Sequence, residues 1–143
     1  MHPLVAAALR YQGVRFVHRG RLPHKLDCVG LIWRAFKDCG VELPCPADYG
    51  REPHLERFMS VIVEALGPDI GTRDLQPGDV VTMKTDRHPH HLAIVTHHPD
   101  RPLGLVHASS EFASRAKPDG CVMWHGLSPS YFARIVTVHR RPV

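Results

Sequence analysis

The segment Leu26-Asp27-Cys28-Val29-Gly30-Leu31-Ile32 contains the start of the principal helix predicted for this 143-residue chain. Asp27 is a residue type that caps helix N-termini, and it directly precedes an apolar pattern with helical spacing. Gly40 follows the last apolar residue, as is typical of a helix end. The apolar positions are Cys28, Leu31, Ile32, Ala35, Phe36 and Cys39. The sequence therefore predicts a helix that begins at Asp27-Cys28 and ends at Gly40.

Cys28 lies in the first turn of this helix, where unpaired backbone N–H groups and the positive end of the helix dipole favour a thiolate. A thiolate is the nucleophilic form of cysteine, so the position suits a reactive residue. Cys28 also heads the apolar stripe, where a small buried cysteine with a structural role fits equally well. The local sequence leaves both interpretations open.

Two histidines are candidates for the base that a cysteine nucleophile needs. His91 opens a predicted strand and His107 ends the next one. If these strands are neighbours, both imidazoles lie on one face of the sheet, packed against the helix that carries Cys28. His107 would then orient His91 through a hydrogen bond that fixes its tautomer.

The remaining pattern predicts a single α+β domain over residues 1–143. The predicted elements are helices at 3–12, 27–40 and 54–66, and strands at 80–83, 91–97, 103–108 and 134–139. Helices precede strands, which indicates an antiparallel sheet with N-terminal helices packed on it. The basic stretch 15–25 and the proline-rich stretch 43–53 are expected to be irregular.

The composition, with 43% hydrophobic and 22% charged residues, is that of an ordinary folded domain. The longest apolar run, Leu4 to Leu9, is far shorter than the about 20 residues of a membrane span. The N-terminus lacks the basic segment of a secretory signal, so we expect cytoplasmic synthesis without a signal peptide. The net charge of +4 comes from scattered basic residues, which does not favour nucleic-acid binding.

We expect no cofactor and no metal. The cysteines at 28, 39, 45 and 121 form no C-x-x-C pair, which argues against a zinc knuckle. His91 and His97 share a strand face but lie roughly 20 Å apart, too far for one ion. Cys39 is expected in the core, and Cys45 and Cys121 in loops.

Four segments resemble, in order, the motifs of the NlpC/p-sixty superfamily of papain-like cell-wall cysteine peptidases. The segment 26–32 is similar to the D-C-S-G-L-V signature, and His91-Leu92-Ala93-Ile94-Val95 to the H-V-G-I-Y strand. Val106-His107-Ala108-Ser109 resembles the third motif, whose polar residue orients the catalytic histidine. Gln76-Pro77-Gly78-Asp79-Val80 matches the P-G-D turn before the sheet.

The resemblance implies a papain-like fold with an open, barrel-like sheet. It also implies a thiol hydrolase that cleaves peptidoglycan stem peptides between γ-linked D-glutamate and a diamino acid. Cys28 would be the nucleophile, His91 the base and His107 the orienting residue. Asp27 would contact a free amine of the substrate, a role compatible with helix capping.

Phe16 and His18 are further candidates for substrate contact. Phe16 stands about where many family members have a tyrosine facing the active site, and His18 lies in the basic loop before Cys28. Val29 replaces the serine that usually follows the cysteine. These departures leave the nucleophile in place but leave open which bond is cleaved.

A closer likeness, carried by residues 18–21, 27–31, 88–94 and 140–142, is to compact family members encoded with phage tails and gene-transfer agents. It implies phage-tail proteins as partners and action at the cell wall from a phage-like particle. Two other functions stay open, an amidase or acyltransferase with the same thiol–histidine pair, and a tail component with a vestigial site.

Overall fold

A computed structural model describes residues 1–44, 55–84 and 91–143. Within these ranges the strands form one eight-stranded sheet in the order β2-β3-β1-β7-β6-β5-β4-β8. The helices are α1 (Pro3–Leu9), α2 (Cys28–Asp38), α3 (Leu55–Leu66) and α4 (Pro129–Phe132). The strands are β1 (Arg15–Phe16), β2 (Arg21–Leu22), β3 (Lys25–Leu26), β4 (Val80–Met83), β5 (His91–Thr96), β6 (Gly104–Ser109), β7 (Cys121–Gly126) and β8 (Ile135–His139). A 3₁₀ turn covers Ser110–Phe112.

The α+β prediction is confirmed, but the sheet is mixed rather than wholly antiparallel. Strand β1 pairs with β3 in parallel, whereas the other pairs of neighbouring strands are antiparallel. The chain leaves β1, forms the short hairpin of β2 and β3, and returns β3 to the position beside β1. Each of these strands has two residues, which is too short for any period in the sequence to predict.

The predicted helices and strands are otherwise confirmed, with small differences at their ends. Helix α1 ends at Leu9 instead of Gln12, because a turn begins at Arg10 and leads into Gly13, whose φ is 84°. The predicted helix start at His54 and most of the proline-rich stretch, with Cys45, lie outside the described residues. Residues 88–90, which belong to the segment that resembles phage-encoded family members, also lie outside the described residues.

Strand β7 was not predicted, and the expectation that Cys121 lies in a loop is wrong. Cys121 is buried at the start of β7, where it pairs with Ser109. The strand pairs with β6 along its whole length. The segment C-V-M-W-H-G has little alternation of its own, so it is this pairing that makes it a strand.

Apolar side chains cover both faces of the central strands. On one face, Leu92, Ile94 and Val106 belong to the core formed with α1, α2 and α3, which we call the helix-side core. On the other face, Ala93, Val95 and Leu105 belong to a second core. This second core also contains Val81, Met83 and Val138, with Leu75, Leu103, Leu127, Tyr131 and Ile135 packed against it. Strand β5 is therefore buried throughout.

No helix among the described residues has the length and apolarity needed to cross a membrane. In the same part of the chain, no group of three or more His, Cys, Asp or Glu residues is placed to hold a metal ion.

Candidate active site

Asp27 caps helix α2 and thereby places Cys28 as its first residue. The backbone of Asp27 is extended, and its carboxylate accepts a hydrogen bond from the Gly30 N–H at 2.7 Å. This bond satisfies one of the amide groups that every helix leaves unpaired at its start. The predicted capping role is confirmed by this geometry.

The turn between β1 and β2 packs on the same carboxylate. The backbone N–H of Arg19 and Nη1 of Arg21 each donate to Asp27 at 2.8 Å. The turn lies so close to the helix that a Cβ on Gly30 would be 1.9 Å from the Gly20 carbonyl oxygen. Glycine is therefore required at position 30, because any other residue would push this turn away from α2.

The thiol of Cys28 lies against the start of β5. The backbone N–H groups of Leu92 and Val29 face the sulfur and favour its thiolate. Burial and, second, the negative charge of Asp27 outweigh them and raise the pKa of Cys28 to about 12. The amide at the helix start thus favours the thiolate in the expected direction, but its effect is smaller than those of burial and Asp27. Although the residue is half-buried, its sulfur is surrounded by protein and stays a thiol at neutral pH.

His91 immediately precedes Leu92, so the structure brings the predicted base next to the predicted nucleophile. His91 and His107 are both buried, and His91 Nε2 lies 2.6 Å from His107 Nδ1. Neighbouring strands β5 and β6 produce this contact, as predicted. Because His91 Nε2 faces His107, proton exchange between His91 and a thiol would have to use Nδ1.

The face on which the imidazoles lie differs from the prediction. Strand alternation puts His91 and His107 with Val95 and Leu105, in the second core, rather than with Val106 in the helix-side core. Helix α2 therefore covers the opposite face of the strands. Cys28, at the N-terminus of α2, lies at the start of β5, where His91 is the first residue.

His125, which the sequence did not single out, extends the pair of histidines to a chain of three. His107 Nε2 lies 2.7 Å from His125 Nε2, and His125 Nδ1 lies 2.8 Å from the Gly126 carbonyl oxygen. The register pairs Leu105 with His125, which puts His125 on the same face as His107. No role was predicted for His125 because the strand that carries it, β7, was not predicted.

Burial also determines the charge of this chain. The pKa of His107 is well below its ordinary value because the ring is desolvated, and because His91, His125 and Arg134 oppose a further positive charge. Burial lowers the pKa of His125 as well, although the Gly126 carbonyl acts in the opposite direction. Both rings are accordingly neutral at pH 7.

The three predicted substrate contacts have different surroundings. Asp27 is 2% exposed and both carboxylate oxygens already accept hydrogen bonds, a geometry that supports its structural role. Phe16 packs in the helix-side core, while His18 is half-buried in the turn after β1. Substrate contact by these residues stays a prediction.

Relatives with similar sequences are named as endopeptidases. The chain is 32% identical over 83 residues to a protein of Mycobacterium tuberculosis named "Probable endopeptidase Rv2190c". A protein of Mycobacterium bovis, "Probable endopeptidase Mb2213c", matches equally. The match covers 58% of this chain but only 18% of the length of these relatives.

Solved structures show the same fold. The NlpC/p60 domain of the peptidoglycan hydrolase SagA superposes with a TM-score of 0.63 at 18% identity, covering 97% of both chains. An NlpC/P60 family protein from Bacillus cereus has a TM-score of 0.65 at 18% identity, over 96% of this chain and 39% of that one. The predicted papain-like fold is confirmed by these likenesses.

The family assignment rests on a longer stretch than any of the motifs. The model of the NlpC/P60 family matches residues 13–125, which include Cys28, His91, His107 and His125. The match covers most of the chain, so this chain belongs to the NlpC/P60 family.

Proposed function

We propose that this chain is a cysteine peptidase that hydrolyses peptide bonds in peptidoglycan. The observation that carries the proposal is the position of the Cys28 thiol at the Leu92 N–H, next to a His91 ring that is held by His107 at 2.6 Å. A thiol, a neighbouring imidazole and an orienting third group are the parts that thiol-dependent acyl transfer requires. Family membership and the names of the relatives support the same activity.

The first half of the reaction forms a thioester. Cys28 Sγ attacks the carbonyl carbon of the substrate while its proton passes to Nδ1 of His91. Because the pKa of Cys28 is raised to about 12, this transfer accompanies the attack rather than preceding it. The C–N bond then breaks, and His91 gives the proton to the leaving amine.

The second half regenerates the thiol. Water attacks the thioester carbon, His91 takes one of its protons, and the C–S bond breaks. The carboxylic acid product leaves and the proton returns to sulfur. The backbone N–H of Cys28, at the start of α2, is the proposed donor to the oxyanion in both halves.

The finer substrate assignment is the amide between γ-linked D-glutamate and a diamino acid, which the motif resemblance implies. Phe16 and His18 are proposed to border the cleft. Asp27 is proposed to contact a free amine of the substrate, beside the turn that its carboxylate holds. Delivery in a phage-like particle, with phage-tail partners, is a separate proposal that rests on the sequence resemblance of residues 18–21, 27–31, 88–94 and 140–142.

The test is mass spectrometry of purified peptidoglycan fragments incubated with the wild type, Cys28→Ala and Cys39→Ala. Cys39 is a matched control, because it is a second half-buried free cysteine at the other end of α2. We expect a new D-glutamate carboxyl terminus and a free amine with the wild type and Cys39→Ala. Cys28→Ala should reduce the rate at least about a thousandfold, because it removes the nucleophile.

Two results would contradict the proposal. Full activity of Cys28→Ala would exclude a thiol mechanism. Intact fragments with every variant would exclude peptidoglycan hydrolysis, and transfer of the acyl group to an added amine would then identify an acyltransferase.

A further inference from the structure

A carbonyl group at the far end of the histidine chain determines where its protons lie. The Gly126 carbonyl oxygen can only accept a hydrogen bond, so His125 Nδ1, 2.8 Å away, carries a proton. A neutral imidazole has one N–H, so His125 Nε2 is left with a lone pair.

The position of the proton on His125 determines the positions of the protons on His107 and His91. His125 Nε2 accepts, so His107 Nε2, at 2.7 Å, carries the proton of that bond. His107 Nδ1 then has the lone pair and accepts from His91 Nε2 at 2.6 Å. In neutral His91 the single proton is therefore on Nε2 and Nδ1 is unprotonated, which is the state a general base needs.

We infer that His125 is a positioning residue that, held by the Gly126 carbonyl, keeps His107 and His91 in the tautomers that leave His91 Nδ1 unprotonated and able to accept the Cys28 proton. The inference rests on the proposed function. His107 alone could orient His91 but not select its tautomer, because an imidazole can present either a donor or an acceptor at Nδ1. If His107 carried its proton on Nδ1, His91 Nε2 would have to accept, and the base would be lost.

The surroundings of His125 are consistent with a fixed, neutral ring. Its ring packs against Tyr131 at 4.4 Å between centroids and against Phe112 at 5.8 Å. The titratable and charged groups around it are His98, His107, Glu111, Tyr131 and Arg134. Arg134 and Glu111 lie 3.4 Å apart, so their charges oppose each other beside the ring. Burial lowers the pKa of His125, which keeps the ring neutral with a single N–H.

The same chain of three histidines stabilises the positive charge that develops on His91 during catalysis. When His91 takes the thiol proton it becomes an imidazolium, and its Nε2–H already donates to His107. His107 in turn donates to His125, which donates to a carbonyl oxygen. Every dipole in the chain has its negative end toward His91, so the positive charge is stabilised without moving another proton.

The experiment compares His125→Phe, His125→Gln and His97→Phe with the wild type. Phenylalanine keeps the ring packing but removes the acceptor for His107, whereas glutamine supplies a carbonyl oxygen as acceptor. His97 is a matched control, because its ring lies against Trp124 at the end of β5 and outside the chain of three. Tautomers are measured at pH 7 by long-range proton–nitrogen correlation on protein labelled with ¹⁵N-histidine.

We expect the wild type to have the proton on Nε2 of His91 and His107 and on Nδ1 of His125. In His125→Phe a fraction of His91 should be protonated on Nδ1, with kcat about tenfold lower because the buried Nε2–H of His107 loses its acceptor. KM should change less than about twofold, and His125→Gln should restore kcat to within about threefold of the wild type. His97→Phe should change neither the tautomers nor kcat.

The inference is overturned if wild-type His91 carries its proton on Nδ1, a result that needs no variant to fold. It is also overturned if His125→Phe leaves both tautomers and kcat unchanged. The tautomers are read without substrate, so they decide this inference even if Cys28→Ala retains activity and the proposed peptidase function fails.

Discussion

Replacing Gly30 by alanine tests the packing that forms the candidate active site. The new Cβ would lie 1.9 Å from the Gly20 carbonyl oxygen and 3.2 Å from Nη1 of Arg21, so the turn must move by at least about 1 Å. Such a movement stretches the 2.8 Å hydrogen bonds from Arg19 and Arg21 to Asp27.

The loss of free energy of unfolding in Gly30→Ala can be worked out from these contacts. Each hydrogen bond to a charged group contributes roughly 1.5–3 kcal/mol, with the half-exposed Arg21 at the low end. Alanine is favoured over glycine within a helix by about 1 kcal/mol, which offsets part of the loss. We therefore expect Gly30→Ala to lower the free energy of unfolding by about 3 kcal/mol.

Urea denaturation followed by the fluorescence of Trp33 and Trp124 measures this change. Lys37→Ala, in the last turn of the same helix, is the control and should change the free energy of unfolding by less than about 0.5 kcal/mol. A Gly30→Ala variant as stable as the wild type would show that the turn does not approach α2 as closely as 1.9 Å from the added Cβ requires.

Two further predictions concern titration. The pKa of Cys28, raised to about 12, predicts that its rate of alkylation by iodoacetamide, measured against Cys28→Ala, keeps increasing above pH 9; a plateau near neutral pH would instead indicate a thiolate–imidazolium pair. His107 is neutral in the folded protein, while in the unfolded chain it takes up a proton below its ordinary pKa of about 6.5. The contribution of His107 to the free energy of unfolding should therefore be fully present above this pH. It should fall by on the order of 1–2 kcal/mol by pH 5. The free energy of unfolding is measured by urea denaturation at pH 7 and pH 5. It should fall less between these pH values in His107→Asn than in the wild type. An equal fall in both proteins would contradict the neutral state of His107.

Local chemistry explains which parts of the fold were predictable. The N-cap at Asp27, the apolar spacing of α2 and the alternation of β5 depend on residues adjacent in sequence, and the structure has each of them. Strands β1 and β7 depend on partners distant in the chain, as the pairing of Arg15 with Cys121 illustrates. No local period predicts such strands. The parallel pair of β1 and β3, which makes the sheet mixed, is unpredictable because each of its strands has only two residues.

Residue types and motif spacing are enough to predict which thiol and which two histidines act, and in what order, because both are properties of the linear chain. The chemical states of these groups depend on the fold. It buries the Cys28 sulfur against Leu92 and raises its pKa, and it places His125 where a carbonyl can fix the tautomers of two other rings. Desolvation and hydrogen-bond direction depend on atoms brought together from distant parts of the chain, and a linear pattern contains neither.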